Sequence, residues 1–280
     1  SSDYVDILVD HYSNLQDVIA WGGETNTPPQ YGKVFLAIKP VVGFFITQSE
    51  KEKIQNILKR YNVITVKPVV LDADYVFVTV STTVDFDGTQ TDKSDGDMIQ
   101  AISDSIIAYN GSTLSKFDKD LRFSALSRQI DTTDAAIISN TTELKLSKRI
   151  YPKLNIAQDI LISFNNEINQ GSIKSSNFTF NGFSSCFFEE SQSTNTLNIS
   201  TYQGATKIIV APNVADVDYV SGNIAITNIE IDMVPSQYID ELTGEPFIKM
   251  WAIPTGNDVL ATQRQIVEID ETQVRVNRLI

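Results

Sequence analysis

A chain of 280 residues with a hydrophobic fraction of 42% carries enough apolar side chain for more than one core, and two compact units are expected. Its 22 Lys and Arg stand against 35 Asp and Glu, a net charge of −13 that repels phosphate backbones and argues against nucleic acid as a partner. One cysteine, Cys186, excludes an internal disulfide, and one histidine, His11, excludes a His-rich zinc site. No apolar run reaches the ~20 residues that span a bilayer, so no membrane partner is expected.

The chain opens on SSDYVDILVD without an initiator methionine, as though entering partway through a helix, and a fragment of a longer protein is expected. Tyr4, Ile7, Leu8, His11, Tyr12 and Leu15 recur at helical spacing, with Ser2 or Asp3 as a cap. A short strand, QDVIAW, comes next. The punctuated stretch GGETNTPPQYG holds Gly22, Gly23, Pro28, Pro29 and Gly32, which rule out a helix. We expect it to be a joint, the two prolines holding a lead-in unit in fixed orientation to the sheet-and-helix domain that begins at Lys33.

From Lys33, KVFLAIKP reads as a strand and TQSEKEKIQNILKRY as an amphipathic helix, with Ser49 and Glu52 as a capping box. NVITVKPVV and DYVFVTVSTTVDF are strands joined through LDAD, a connection of hairpin length. MIQAISDSIIAYN and LSKFDKDLRFSALSRQI read as helices, and DAAIISNTTELKLSKRI as a strand. Beyond Tyr151 helical periodicity nearly vanishes, and eight short strand candidates succeed one another, from DILISF to RQIVEIDETQVRVNRLI. YVSGNIAI is the clearest hairpin, with Gly222 and Asn223 at positive φ.

The expected class is α+β. A helix-strand lead-in at 1–32, the end of a preceding domain, leads into a split β-α-β (ferredoxin-like) sheet-and-helix domain at 33–150, and an all-β sandwich or open barrel fills 151–280.

Chemical motifs are weak. The loop DFDGTQTDKSDGD gathers five aspartates, but from Asp85, Asp87 or Asp92 the calcium-loop pattern fails, and Asp97 or Ser94 reads better as a helix cap. Trp-Gly-Gly lacks the basic residue or helix that a phosphate nest needs. Ser184, Ser185 and His11 make no hydrolase without a Gly-x-Ser-x-Gly turn. No enzyme, cofactor or metal is expected. The run PVVGFFIT cannot face inward throughout, so Phe44, Phe45 and Ile46 are candidate interface residues.

The collinear series DYVDILVDHYSNLQDVIAWGG, YGKVFLAIKP, TQSEKEKIQNILKRYNVITVKPVVLDADYVFVTVSTTVDF and FDKDLRFSALSRQIDTTDAAIISNTTELKLSK resembles the C-terminal half of the baseplate wedge subunit of T-even-type contractile-tailed phages, a group related to the J-like baseplate proteins. The resemblance covers about residues 3–148. It implies a structural virion protein of the tail baseplate, assembled in the host cytoplasm. Its partners would be copies of itself and other wedge subunits, joined in a ring around the hub that reorganises on sheath contraction. It transfers no catalytic residue. The acidic charge suits this role by keeping free subunits apart until a specific contact forms. The alternative is a carbohydrate- or receptor-binding tail module using Trp251, Tyr238 and Tyr202. A metal hydrolase built on Asp85, Asp87, Asp95 and Asp97 ranks third.

Overall fold

The computed structural model describes residues 2–26, 28–61, 66–241, 243–262 and 264–279. It divides into two compact units, the first formed by Ser1–Tyr75, Ser115–Lys119 and Ala261–Ile266, and the second by Val76–Leu114, Asp120–Leu260 and Val267–Ile280.

The first unit runs α1 (Ser2–His11), β1 (Asp17–Gly22), a 3₁₀ turn (Gly23–Thr25), β2 (Lys33–Lys39), α2 (Gln48–Tyr61) and β3 (Lys67–Asp72). β1 pairs antiparallel with β2, and β2 pairs parallel with β3, the arrangement a helical crossover permits. Strand alternation puts Leu36 and Ile38 on one face of this three-stranded sheet. There they are buried with Leu8, Ile46, Ile54, Leu58 and Val70, so both helices supply side chains to one core. Tyr61, expected on that face of α2, is exposed and bonds instead to His11. Residues 62–65, the start of the strand read as NVITVKPVV, lie outside the described residues; the rest of it is β3.

The cap of α2 sits two residues before the expected Ser49–Glu52 box. The Thr47 backbone N–H donates to Glu50 Oε2 at 2.9 Å, and the Glu50 N–H donates to Thr47 Oγ1 at 3.3 Å. Tyr12 Oη–H and Asn14 Nδ2 both donate to Glu50 Oε1, at 2.9 and 3.3 Å, so one carboxylate caps α2 and ties down the chain that leaves α1. The Thr47 amide first, then the Tyr12 hydroxyl, hold the Glu50 carboxyl down at about 2, against an ordinary 4.5. A depressed carboxyl stabilises the fold above its unfolded pKa, and that contribution is lost as pH falls through the folded one. Glu50→Gln should therefore cost about 1 kcal/mol at neutral pH, solvent screening of this partly exposed group allowed for, and the difference from wild type should vanish between pH 4.5 and 2. Urea titrations across that range check it.

The second unit contains β4 (Asp74–Asp87, from its third residue), α3 (Asp95–Thr113), α4 (Phe123–Asp131), β5 (Ile137–Ile150), β6 (Gln158–Ser163), β7 (Lys174–Ser175), β8 (Phe178–Phe180), β9 (Phe183–Glu190), β10 (Thr196–Gln203), β11 (Thr206–Asp218), β12 (Asn223–Ile229), β13 (Ile248–Ala252) and most of β14 (Gln265–Leu279). Its sheet has the order β14-β4-β5-β13-β7-β9-β10-β11-β12-β6, with β8 attached to β9. The α+β expectation holds: a small sheet with helices precedes a large open sheet, with no closed barrel among the described residues.

Three local expectations change. LDAD makes no hairpin, because β3 joins β2 while β4 pairs antiparallel with β5, so the strands expected in one split β-α-β sheet divide between two. Residues 114–122 are not helical: Ser115 and Asp118 adopt φ of 59° and 57°, and Leu121 exchanges backbone hydrogen bonds with Val259. Helix α4 starts only where the Phe123 N–H meets Asp258 Oδ1 at 2.8 Å. In the hairpin between β11 and β12, Gly222 has φ of 67°, whereas Asn223 is already the first residue of β12. Each tail candidate contains strand, with β7 added and TKIIVAP running on into the next candidate as β11, but the last two leave the tail: β13 pairs with β5, and β14 lies beside β4.

Candidate assembly surface

The run PVVGFFIT comes after β2 in the first unit. Ile46 is buried in the core, so of the three expected interface residues it alone faces fully inward. Phe44 and Phe45 are half-buried, and the Phe44 ring stands edge-on to Tyr75 with centroids 5.0 Å apart. The residues that do face solvent are Val41 and Val42, 57% and 67% exposed. Gly43, at φ of 84°, turns the chain between the two pairs, and the Val41 N–H is held by Asn14 Oδ1 at 3.2 Å. The sequence signal was present, since two valines directly before a glycine cannot continue an alternating strand.

The loop of Gly22, Gly23, Pro28, Pro29 and Gly32 connects β1 to β2, which are paired neighbours in one sheet, so the expected joint lies inside the first unit. Its conformation is set by contact. A Cβ on Gly23 would lie 2.0 Å from the Gln30 carbonyl oxygen, and the Gln30 N–H donates to the Gly23 carbonyl at 2.7 Å. Pro28 and Pro29 are exposed on its outer side. Trp21, just before the loop, stacks on Phe35 and donates its indole N–H to Asn26.

Sequence reading missed Lys39. It ends β2 almost fully buried, with Nζ donating to the Ser115 carbonyl at 2.8 Å and to the Ser115 hydroxyl, and lying 5.9 Å from the Tyr75 ring centre. The charge is solvated by a distant loop, which no local pattern reports.

In the second unit the aspartates of the 85–97 loop disperse into separate tasks. Asp87 accepts from the Thr89 N–H and hydroxyl, and Asp97 closes a capping box with Ser94 at the start of α3, as read. Asp95 pairs with Arg278 at 2.8 Å, and Asp85 accepts from Asn277 and Ser139. Among the described residues no three His, Cys, Asp or Glu side chains gather as metal ligands would.

The rings proposed as a sugar platform are likewise apart in their contacts. Tyr202 stacks on Phe187, Tyr238 meets Phe247 edge-on, and Trp251 lies near the Lys249 ammonium. Cys186 is buried, and burial pushes its thiol up, away from nucleophile chemistry. An open groove of about 660 Å³ runs along β9, but its acids are already bound. Glu190 accepts from the Gly171 and Ile173 amides and the Tyr219 hydroxyl, and Glu189 from Lys207 and Ser200. These carboxylates fasten loops and strands together.

Residues 1–71 match the family model for baseplate structural protein gp6, C-terminal domain I, and residues 74–149 match C-terminal domain III of the same protein. The chain is also 22% identical over 181 residues to the baseplate wedge protein gp6 of Enterobacteria phage T4, a match covering 65% of this chain and 27% of that relative. The two residues between the domain matches lie where β3 of one sheet gives way to β4 of the other. With two domains of one protein in order over its first 149 residues, the chain belongs to the gp6 family of phage baseplate wedge proteins.

Proposed function

We propose that this chain is a structural part of a contractile phage tail baseplate, acting by assembly and without catalysis of its own. The observation that carries this reading is the ordered pair of domain matches across residues 1–149, joined to a wedge-protein relative. In it the chain resides in the virion, contacts other baseplate wedge subunits and further copies of itself, and takes part in the ring around the hub that reorganises on contraction. The engagement of its acidic side chains in caps and ion pairs supports a scaffold role. A division near residue 150 belongs to the same reading and is supported by the end of the domain III match at residue 149.

The loop of Val41, Val42, Phe44 and Phe45 is the contact we assign to a neighbouring wedge subunit. Its two exposed valines offer apolar area at a turn whose backbone is anchored by Asn14, so little ordering is needed on docking. Val41→Asp with Val42→Asp should weaken retention of the chain on purified wedge subunits of the same phage by at least ~10-fold while leaving its circular dichroism unchanged. Unaltered retention would remove this loop from the interface.

A further inference from the structure

Four strands of the large sheet, β7, β9, β10 and β11, present one outward face. The cross-strand pairs Lys174 with Glu189, Phe187 with Ser200, and Ser200 with Ile209 place these side chains on it, because directly paired residues share a face. The open groove of about 660 Å³ runs there, lined by Lys174, Phe187, Glu189 and Glu190. Beside it the Phe187 ring stacks on Tyr202 with centroids 5.8 Å apart, and Tyr202 and Ile209 are 61% and 55% exposed. Exposed rings and aliphatic side chains gathered within a polar rim mark a protein-binding surface. Acid is also kept from it: Ser191 to Ala215, which holds β10 and most of β11, contains no Asp or Glu in a chain that has 35.

The charges of this face leave one cation over. Glu189 is the cross-strand neighbour of Lys174, yet its two oxygens accept from the Ser200 hydroxyl and from Lys207 Nζ, the latter at 2.7 Å. Glu190 is engaged by the Gly171 and Ile173 amides and the Tyr219 hydroxyl. Lys174 is exposed, and its ammonium forms no ion pair with any described residue. From Lys174 on β7 to Ile209 on β11 is three strand spacings, about 14 Å at ~4.8 Å each. A single sugar ring does not reach across that distance. An extended polypeptide covers it in about four residues at ~3.4 Å each.

We infer that this face binds an extended segment of a different wedge subunit, with a carboxylate on Lys174, an apolar side chain over the Phe187 and Tyr202 rings, and a second apolar side chain against Ile209. Alternate residues of an extended chain face the same way, so the carboxylate stands two positions before the first apolar residue and four before the second. The free ammonium selects the acid, and the exposed ring and Ile209 supply the area that closing water out requires. The inference rests on the assembly role proposed for the chain and adds a contact of another kind from the valine turn, one that discriminates by charge.

The test titrates a blocked pentapeptide, Glu-Thr-Leu-Thr-Leu, into the 280-residue chain carrying Trp21→Phe, and reads the emission of Trp251, the cross-strand neighbour of Lys174. Saturable binding with a dissociation constant below ~1 mM is expected. Lys174→Glu should weaken it at least ~10-fold and make the chain prefer Lys-Thr-Leu-Thr-Leu, a reversal that a merely structural lysine would not produce. Tyr202→Ala should weaken the Glu peptide at least ~5-fold with circular dichroism unchanged. Absence of a saturable signal, or an affinity indifferent to Lys174→Glu, would overturn the inference. So would saturation by a chitooligosaccharide in place of the peptide, which marks a sugar site, or loss of a dimer in light scattering on Tyr202→Ala, which gives the face to a second copy. Peptide binding by a chain that wedge subunits fail to retain would refute the assembly role alone, and retention without peptide binding would refute this face alone.

Discussion

Leu36→Ala lowers the unfolding free energy of the first unit by about 2–5 kcal/mol, the range for a truncated leucine in a core that cannot collapse around the void. Leu36 lies on the middle strand of three, fully buried, in the cluster that holds Leu8 of α1 and Ile54 and Leu58 of α2. Sheet and helices both border the cavity, so no single element can move in to fill it. The measurement is convenient because the two tryptophans fall one to each unit, Trp21 in β1 and Trp251 in β13. With Trp251→Phe, Trp21 fluorescence reports the first unit alone during urea unfolding. A loss below about 1 kcal/mol would mean that this core is loosely packed and that the two helices are not its walls.

Gly222→Ala has the other large effect, an expected loss of about 2–4 kcal/mol in the second unit. Two causes add. At φ of 67° a Cβ is strained, and the Cβ would stand 2.3 Å from the Asn166 carbonyl oxygen, a backbone atom that cannot swing aside as a side chain would. The same residue gives its own carbonyl to the Phe164 N–H at 3.0 Å, so relieving the clash disturbs the chain just after β6 as well as the hairpin from β11 to β12. Trp251 fluorescence in a Trp21→Phe background should show a transition at markedly lower urea. An unchanged midpoint would show that the turn relaxes freely.

These two positions differ in how far the sequence disclosed them. Gly222 was legible, because a Ser-Gly-Asn between two alternating runs needs a residue at positive φ, though Asn223 proved to be strand. Leu36 was legible as a strand residue but not as the centre of a sheet, since alternation tells which face a side chain takes and not which strands lie beside it. The same limit explains β3, β4, β13 and β14. Each was readable as a strand, yet their pairing is decided by edges far apart in sequence: β5 offers one to β13, and β4 one to β14.

Residues 114–122 misled for a different reason. Their apolar spacing is helical, but Leu114, Phe117 and Leu121 are buried from a non-helical backbone with positive φ at Ser115 and Asp118. Caps were legible where the partner was local, as for Ser94 and Asp97, and were displaced at α2, where Tyr12 and Asn14 favour Glu50 from elsewhere in the chain. Of the assembly surface, the apolar run was read, but the signal for its outward members, the two valines before Gly43, was passed over. Ile46 turned inward while Val41 and Val42 took the exposed side of Gly43.

A scaffold that works through contacts needs stable units and specific surfaces. The buried clusters and capped helices supply the first, and the valine turn is assigned the second. That assignment presupposes that the chain belongs in the baseplate of the particle. Immunogold electron microscopy of intact virions, with antibody raised against residues 1–280 and mass spectrometry of purified baseplates alongside, tests that most directly. Gold is expected at the baseplate, at the end of the tail distal to the head, and the chain is expected among the baseplate proteins. Label confined to the tail fibres, or absence of the chain from purified baseplates, would contradict it.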